Sequence, residues 1–216
     1  MEWIKKSGLF IPSQKLELPK HHSLADWDFR AGLVYALDNV IFISAPSSIR
    51  ITPTIANTIH VLSLNRDAAC ITLPEGRIET QWRVTGIGTG AGCGVIFRNQ
   101  GALGVIDEAN TYYVNFFSES AVVAKTVGGG VTALGSWALG HVTNTWYRER
   151  VTWWNEAPVL LIRYEYWDGA NWVIPAADIT DPAPDFGASA TNRVGLGSLN
   201  IGANAYYDDT MIYGPA

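Results

Sequence analysis

Three runs of this chain interleave aromatic, cationic and acidic side chains at a spacing of two: residues 146–154 (WYRERVTWW), 160–167 (LLIRYEYW) and 206–213 (YYDDTMIY). A spacing of two is the period of a strand, whose successive side chains point to opposite faces. On the first run Trp146, Arg148, Arg150, Thr152 and Trp154 share a face. On the second Leu161, Arg163, Glu165 and Trp167 do so, opposite Leu160, Ile162, Tyr164 and Tyr166. Most half-buried strands set an apolar face on a core and a polar face in water; here the presumed outer face also carries tryptophan and arginine. Flat rings stack on sugar rings, and guanidinium and carboxylate groups fork hydrogen bonds to hydroxyls. Trp154, Arg163, Glu165 and Trp167, with Arg148 and Arg150, are therefore the candidate ligand- or partner-binding residues. The plainer reading of the same pattern is a set of surface ion pairs with a tryptophan packed under a loop.

Other chemistry is weaker. Asp208 and Asp209 invite a calcium reading, because hard cations take several carboxylate and carbonyl oxygens, and Asp178, Asp181 and Asp185 could add ligands. The alternative is that the inward member of the pair accepts loop amides as a structural pin. None of the histidines His21, His22, His60 and His141 stands in a nucleophile context. Cys70 and Cys93, the only cysteines, sit in apolar strand-like runs, which favours buried thiols over a disulfide. They have no metal-ligand spacing. No cofactor is expected beyond that structural calcium.

The elements that must position these residues are short strands. Strand signals fall near 33–36, 40–43, 48–52, 59–64, 69–73, 76–85, 92–99, 111–117, 121–127, 131–139, 146–154, 159–167, 193–199 and 205–213, divided by turn chemistry at 37–39, 74–76, 128–130, 155–158 and 168–169. No window has the 3.6-residue period and caps of a helix. Residues 175–189, with Pro175, Pro182, Pro184 and Gly187, read as a long loop. So many strands in one domain split into two packed layers, so the expected fold is all-β, a two-sheet antiparallel sandwich over 25–216.

The chain has 216 residues, 48% of them hydrophobic and 16% charged, which suits one large β domain and excludes a disordered chain. A net charge of −5 argues against nucleic-acid binding. Its distribution is uneven: Lys5, Lys6, Lys15 and Lys20 face only Glu2 and Glu17 in the first twenty residues, which carry +2 against −7 for the remainder. Residues 1–24 read as an extended N-terminal arm, with Trp3, Lys5, Lys6 and Phe10 as its assembly residues. Exposed apolar side chains beside lysines call for a cover, and another protein subunit with opposite charge is the expected partner. No stretch is long and apolar enough to span a bilayer, and the basic pair near the start is followed by no hydrophobic core of a secretory signal.

The order of several pieces resembles the concanavalin A-like lectin/glucanase superfamily, the jelly-roll sandwich of laminin G-like modules. The pieces are residues 44–50 (SAPSSIR), 76–82 (GRIETQW), 94–98 (GVIFR), 111–114 (TYYV), 146–152 (WYRERVT), 192–196 (NRVGL) and 207–212 (YDDTMI). The resemblance implies the fold over about residues 26–213 and places a usual ligand site on the concave sheet face; it does not fix a ligand. Retaining glucanases of the superfamily carry Glu-x-Asp-x-x-Glu on one strand, so that nucleophile and acid/base stand roughly 5 Å apart. No such run occurs here. Glu165 with Asp168 and Glu75 with Glu79 come nearest, but the first two would point to opposite faces and Glu75 lies in a turn. A non-catalytic member is expected.

Three functions follow. The first is a non-enzymatic virion component, from a phage capsid surface or tail, with a lectin-like sandwich that binds glycans; this places it in a virion or outside the cell without a signal peptide. The second is a secreted carbohydrate-binding module, and the third an atypical glycoside hydrolase.

Overall fold

The computed structural model describes residues 4–6, 9–11, 24–29, 34–38, 40, 43, 48–52, 59–65, 73–86, 92–102, 105–187, 191–199 and 203–214. Its strands are β1 (Ile4–Lys6), β2 (Leu9–Ile11), β3 (Trp27–Phe29), β4 (Val34–Asp38), β5 (Ser48–Thr52), β6 (Ile59–Asn65), β7 (Gly76–Val84), β8 (Gly92–Asn99) and β9 (Thr111–Phe116). They continue as β10 (Ser120–Val127), β11 (Gly130–Ala138), β12 (Tyr147–Glu156), β13 (Val159–Trp167), β14 (Trp172–Val173), β15 (Ile179–Asp181), β16 (Arg193–Leu199) and β17 (Ala205–Tyr213). Among the described residues the one helical turn is a 3-10 turn at Leu24–Asp26.

Two antiparallel sheets result. One runs β11-β10-β9-β8-β16-β6-β3. The other runs β14-β13-β12-β7-β17-β5-β4, with β15 on the same edge of β13 as β14. The β10–β11 hairpin closes through Gly128 and Gly129, both at positive φ (56° and 84°), the conformation a two-residue hairpin turn demands. This is the expected jelly-roll sandwich.

Alternation decides what fills it. From β12, Val151 and Trp153 point inward; from β13, Leu160, Ile162 and Tyr164 do so, and all five are fully buried. They meet Phe97, Tyr112 and Phe116 from β8 and β9. Ring contacts cross the interior: Trp153 stacks on Phe97 at 4.8 Å, Phe97 on Tyr112 at 5.4 Å, and Trp82 on Phe116 at 5.3 Å. Stacked rings of this kind add to the large area that aromatic residues withdraw from water.

Three differences from the expected elements stand out among the described residues. Val40 and Ile43, expected in a strand at 40–43, lie in bends: the Val40 amide donates to the Asp38 carboxylate and the Ile43 amide to Asp208, so side chains take bonds a ladder would need; residues 41–42 lie outside the described residues. The long proline-containing loop contains β15, whose residues Ile179, Thr180 and Asp181 pair with Ile162, Leu161 and Leu160. Within the basic arm, Ile4–Lys6 and Leu9–Ile11 pair antiparallel as a two-stranded sheet, with Lys5 opposite Phe10. Trp3 and residues 69–72, including Cys70, lie outside the described residues; Cys93 is a buried free thiol.

Candidate functional site

The outer face of β12 and β13 carries the arginines and acids that alternation placed there, and the structure joins them in pairs. Arg148 donates through Nε (2.9 Å) and Nη2 to one oxygen of Glu79 on β7. Arg150 forks onto both oxygens of Glu165 at 2.7 and 2.6 Å, and Arg163 onto both of Asp178 at 2.8 and 2.7 Å. The Arg163–Asp178 pairing holds the arginine fully charged, while burial works in the opposite direction. Planar guanidinium groups also lie over tryptophans: Arg148 over Trp167 and Trp172 at 5.3 and 5.2 Å, Arg150 over Trp172 at 4.1 Å, and Arg163 over Trp154 at 5.2 Å.

One of the expected binding residues is corrected by this arrangement. Trp154 is 3% exposed and cannot present its ring to a ligand. Arg163 lies over it and is fixed by Asp178, the residue just before β15, which pairs beside β13. Glu165 is buried as well, with both oxygens engaged. Trp167, Arg148, Arg150 and Arg163 remain half-buried. Of these, Arg148 is the most open of the paired arginines, with 38% of its side chain exposed.

Arg148 stands between two hollows. A cavity of about 440 Å³ is lined by Leu139, His141, Tyr147, Tyr166, Trp167 and Pro175 among others, with Arg148 at its wall. A cleft of about 300 Å³ is lined by Glu79, Gln81, Arg148, Asp209 and Met211. The first is aromatic and the second polar. Both volumes fall in the range of small-molecule sites.

Beneath the aromatic cavity lies a buried polar network that residue spacing did not reveal. Glu149, 1% exposed, accepts from Trp82 Nε1 (2.7 Å), His141 Nε2 (2.7 Å) and Tyr164 Oη (2.5 Å). His141 Nδ1 lies 2.6 Å from the Phe117 carbonyl oxygen, so a doubly protonated imidazolium satisfies both partners. Burial alone would lower the His141 pKa, but the bond and charge of Glu149, with the Phe117 carbonyl, outweigh it and leave it raised. The sequence did hold one signal: Glu149 falls on the inward face of β12, in register with Val151 and Trp153, where an acid needs a partner.

The remaining acids are occupied too. Asp168 caps the turn after β13 by accepting the Ala170 and Asn171 amides, which hold its carboxyl below the usual range. Glu75 accepts from the backbone and side chain of Asn155. Asp208 accepts the amides of Ile43 and Asp209, and Asp209 accepts from Gln81. Asp178 holds Arg163, while Asp181 and Asp185 hold Lys125. Among the described residues no group of three or more His, Cys, Asp or Glu side chains is placed to hold a metal ion.

No protein-family model matches this sequence. No curated protein sequence matches it either. Solved structures do resemble the fold. The carbohydrate-binding module CBM66 from Bacillus subtilis matches with a TM-score of 0.57 at 14% identity, over 88% of this chain and 96% of that one. The exoplasmic/lumenal domain of VIP36, in its Ca2+/Man3GlcNAc-bound form, matches at 0.57 and 12% identity over 91% and 90%. A mutant of the GH43 protein BlXynB from Bacillus licheniformis matches at 0.52 and 15% identity, over 89% of this chain but only 40% of its own. At these identities the likeness establishes the concanavalin A-like lectin-type sandwich and nothing finer.

Proposed function

We propose that this protein is a non-enzymatic glycan-recognition module whose site is the strip around Arg148, from the aromatic wall at Tyr147, Tyr166 and Trp167 to the polar cleft at Glu79, Gln81 and Asp209. The observation that carries the reading is Arg148 itself, half-exposed and shared by an aromatic hollow and a polar one. A sugar needs such a combination: a flat ring for its C–H face and forked polar groups for its hydroxyls. The carbohydrate-binding module and the lumenal domain with a bound mannose-containing glycan, both of this fold, support it by analogy. A non-catalytic role is supported by the occupied acids: Glu149 is buried under three hydrogen bonds, and Glu165 and Glu79 are paired with arginines.

Affinity electrophoresis against a panel of soluble polysaccharides tests it. At least one should retard the protein, and Trp167→Ala should abolish the retardation while the unfolding transition stays cooperative. Retardation by none, or retardation indifferent to Trp167, would end the reading. The finer reading, a phage capsid-surface or tail component anchored through its N-terminal segment to other subunits, rests on the basic charge of residues 1–20 alone. Neither of the two glycan-related structures just cited lends it support. A neighbouring capsid or tail gene would uphold it; a leader or hydrolase domain encoded in the same reading frame would replace it with a secreted module.

A further inference from the structure

Arg77 stands on the same outer face, on β7, with Tyr213 of β17 on one side of it and Thr152 of β12 on the other. The arginines of β12 and β13 each hold a carboxylate: Arg148 that of Glu79, Arg150 that of Glu165 and Arg163 that of Asp178. Arg77 holds none among the described residues, where its guanidinium makes a single hydrogen bond, from Nε to the Thr152 hydroxyl at 2.9 Å. The four N–H groups on Nη1 and Nη2 are therefore unspent. Neither nitrogen is sealed from water, since no Arg77 atom belongs to the buried polar atoms that lack a partner.

The charge is half-buried with no counter-ion of its own. Burial pushes the Arg77 pKa down, and the Arg150 guanidinium pushes the same way; Glu165 and Glu79, each committed to its own arginine, offset them only in part. A cation withdrawn from water without a partner is unfavourable, and an anion brought to it relieves the strain. The two parallel N–H bonds at the end of a guanidinium match the two oxygens of a carboxylate. The position suits a glycan. Arg77 lies two residues from Glu79 along β7, a step of about 7 Å, and Glu79 lines the cleft beside Arg148.

We infer that Arg77 is the anchor for a carboxylate carried by the bound glycan, so that the ligand is a uronate-bearing polymer. This rests on the glycan reading above and adds a subsite to it.

The test is a titration of the full chain against three soluble polymers: polygalacturonate, its methyl ester and a neutral β-glucan. The ester keeps the sugar backbone and removes the charge. Polygalacturonate should bind at least about tenfold more tightly than its ester, as loss of a forked ion pair in a half-buried site predicts. Arg77→Gln should remove that difference, and Arg77→Lys, which keeps the charge without the fork, should retain part of it. Without ligand, Arg77→Gln should be at least as stable in urea as the unaltered protein, because it deletes a charge that has no partner. Equal binding of polygalacturonate and its ester, or binding of the β-glucan but not of polygalacturonate, would overturn the inference and leave the glycan reading intact. A preference for polygalacturonate that survives in Arg77→Gln would also overturn it, as would a marked loss of stability in that variant, which would make the side chain structural. Binding of none of the three would overturn both.

Discussion

Lys125 and Asp181 meet at 2.9 Å with both side chains nearly out of water, whereas Arg148 meets Glu79 with its own side chain 38% exposed. The first pair joins β10 of one sheet to β15 of the other, and it is reinforced by the Tyr112 hydroxyl (2.6 Å) and by Lys125 donating to the Ala183 carbonyl (2.7 Å). The second pair lies along the face of a single sheet and ties β12 to its neighbour β7. His141–Glu149 is buried like the first pair, as is Arg193–Asp28, which joins β16 to β3 within one sheet; Arg150–Glu165 and Arg163–Asp178 lie on the outer face with the second. The contrast separates architecture from recognition. Charges that pin a layer or loop to another are withdrawn from water, while on the outer face Arg148 stays reachable and Arg150 and Arg163 are mostly covered.

The comparison is broken most severely by unpairing the buried set. Removing one partner leaves a buried charge uncompensated, which costs about 3–5 kcal/mol. Lys125→Met should therefore lower unfolding stability in urea by that order and Asp181→Asn by less, because Asp185 still holds Lys125, and the double change Lys125→Met with Asp181→Leu should recover part of the larger loss. Stability unchanged in either single variant would show that the pair is not a pin. The two tryptophans on the β12–β13 outer face divide in the same way. Trp154→Ala, at 3% exposure, should cost about 3–5 kcal/mol of stability, as large-to-small changes in a packed site do. Trp167→Ala should cost little stability and instead weaken glycan binding by about 1–3 kcal/mol, the loss expected of an aromatic anchor.

Acid and alkali separate the pins from one another. His141 has its folded pKa raised above the unfolded value, so its contribution is complete below the unfolded pKa and fades as pH climbs through the raised one. For Asp181, burial alone would raise the pKa, but the bonds from Lys125, Tyr112 and the Ala183 amide outweigh it and leave it lowered. Its contribution is present above the unfolded carboxylate pKa and fades as pH falls through the lowered one. Stability plotted against pH should thus decline on both sides. His141→Gln should flatten the alkaline decline only, and Asp181→Asn the acid decline only. Exchange of those two effects would refute the assignment.

Much of this fold was legible because its long strands alternate strictly. The inward set of Val151, Trp153, Ile162 and Tyr164 follows from period two alone. The same rule placed Arg148, Arg150, Arg163 and Glu165 on one face. It could not say what covers that face. Trp154 was lost to view because Arg163, which lies over it, is held there by Asp178, in a stretch that reads as a proline-containing loop but adds β15 to the sheet edge. Short strands made by tertiary pairing carry little local pattern. His141 was hidden for a related reason: its partners Glu149 and Phe117, and the Tyr164 hydroxyl that shares Glu149 with it, arrive from three other stretches of chain.

The smallest effect is the most telling for the recognition face. Arg148 and Glu79 form a close ion pair, yet the arginine is well solvated and its rings, Trp167 and Trp172, already hold it in place. Glu79 is buried, but water competes for the arginine and ordering its long side chain costs entropy, which sets the pair near the coupling of exposed pairs, typically about 0.2–1 kcal/mol. A double-mutant cycle of Arg148→Met and Glu79→Gln should return a coupling in that range, and it should shrink further as salt is raised from 0.05 to about 1 M, where screening acts over roughly 3 Å. The equivalent cycle on Lys125 and Asp181 should return a coupling several times larger and almost indifferent to salt. If the Arg148–Glu79 coupling matched that of the buried pair, the outer face would be as fixed as the interior. The strip around Arg148 would then be a structural seam, with no freedom left for a sugar to exploit.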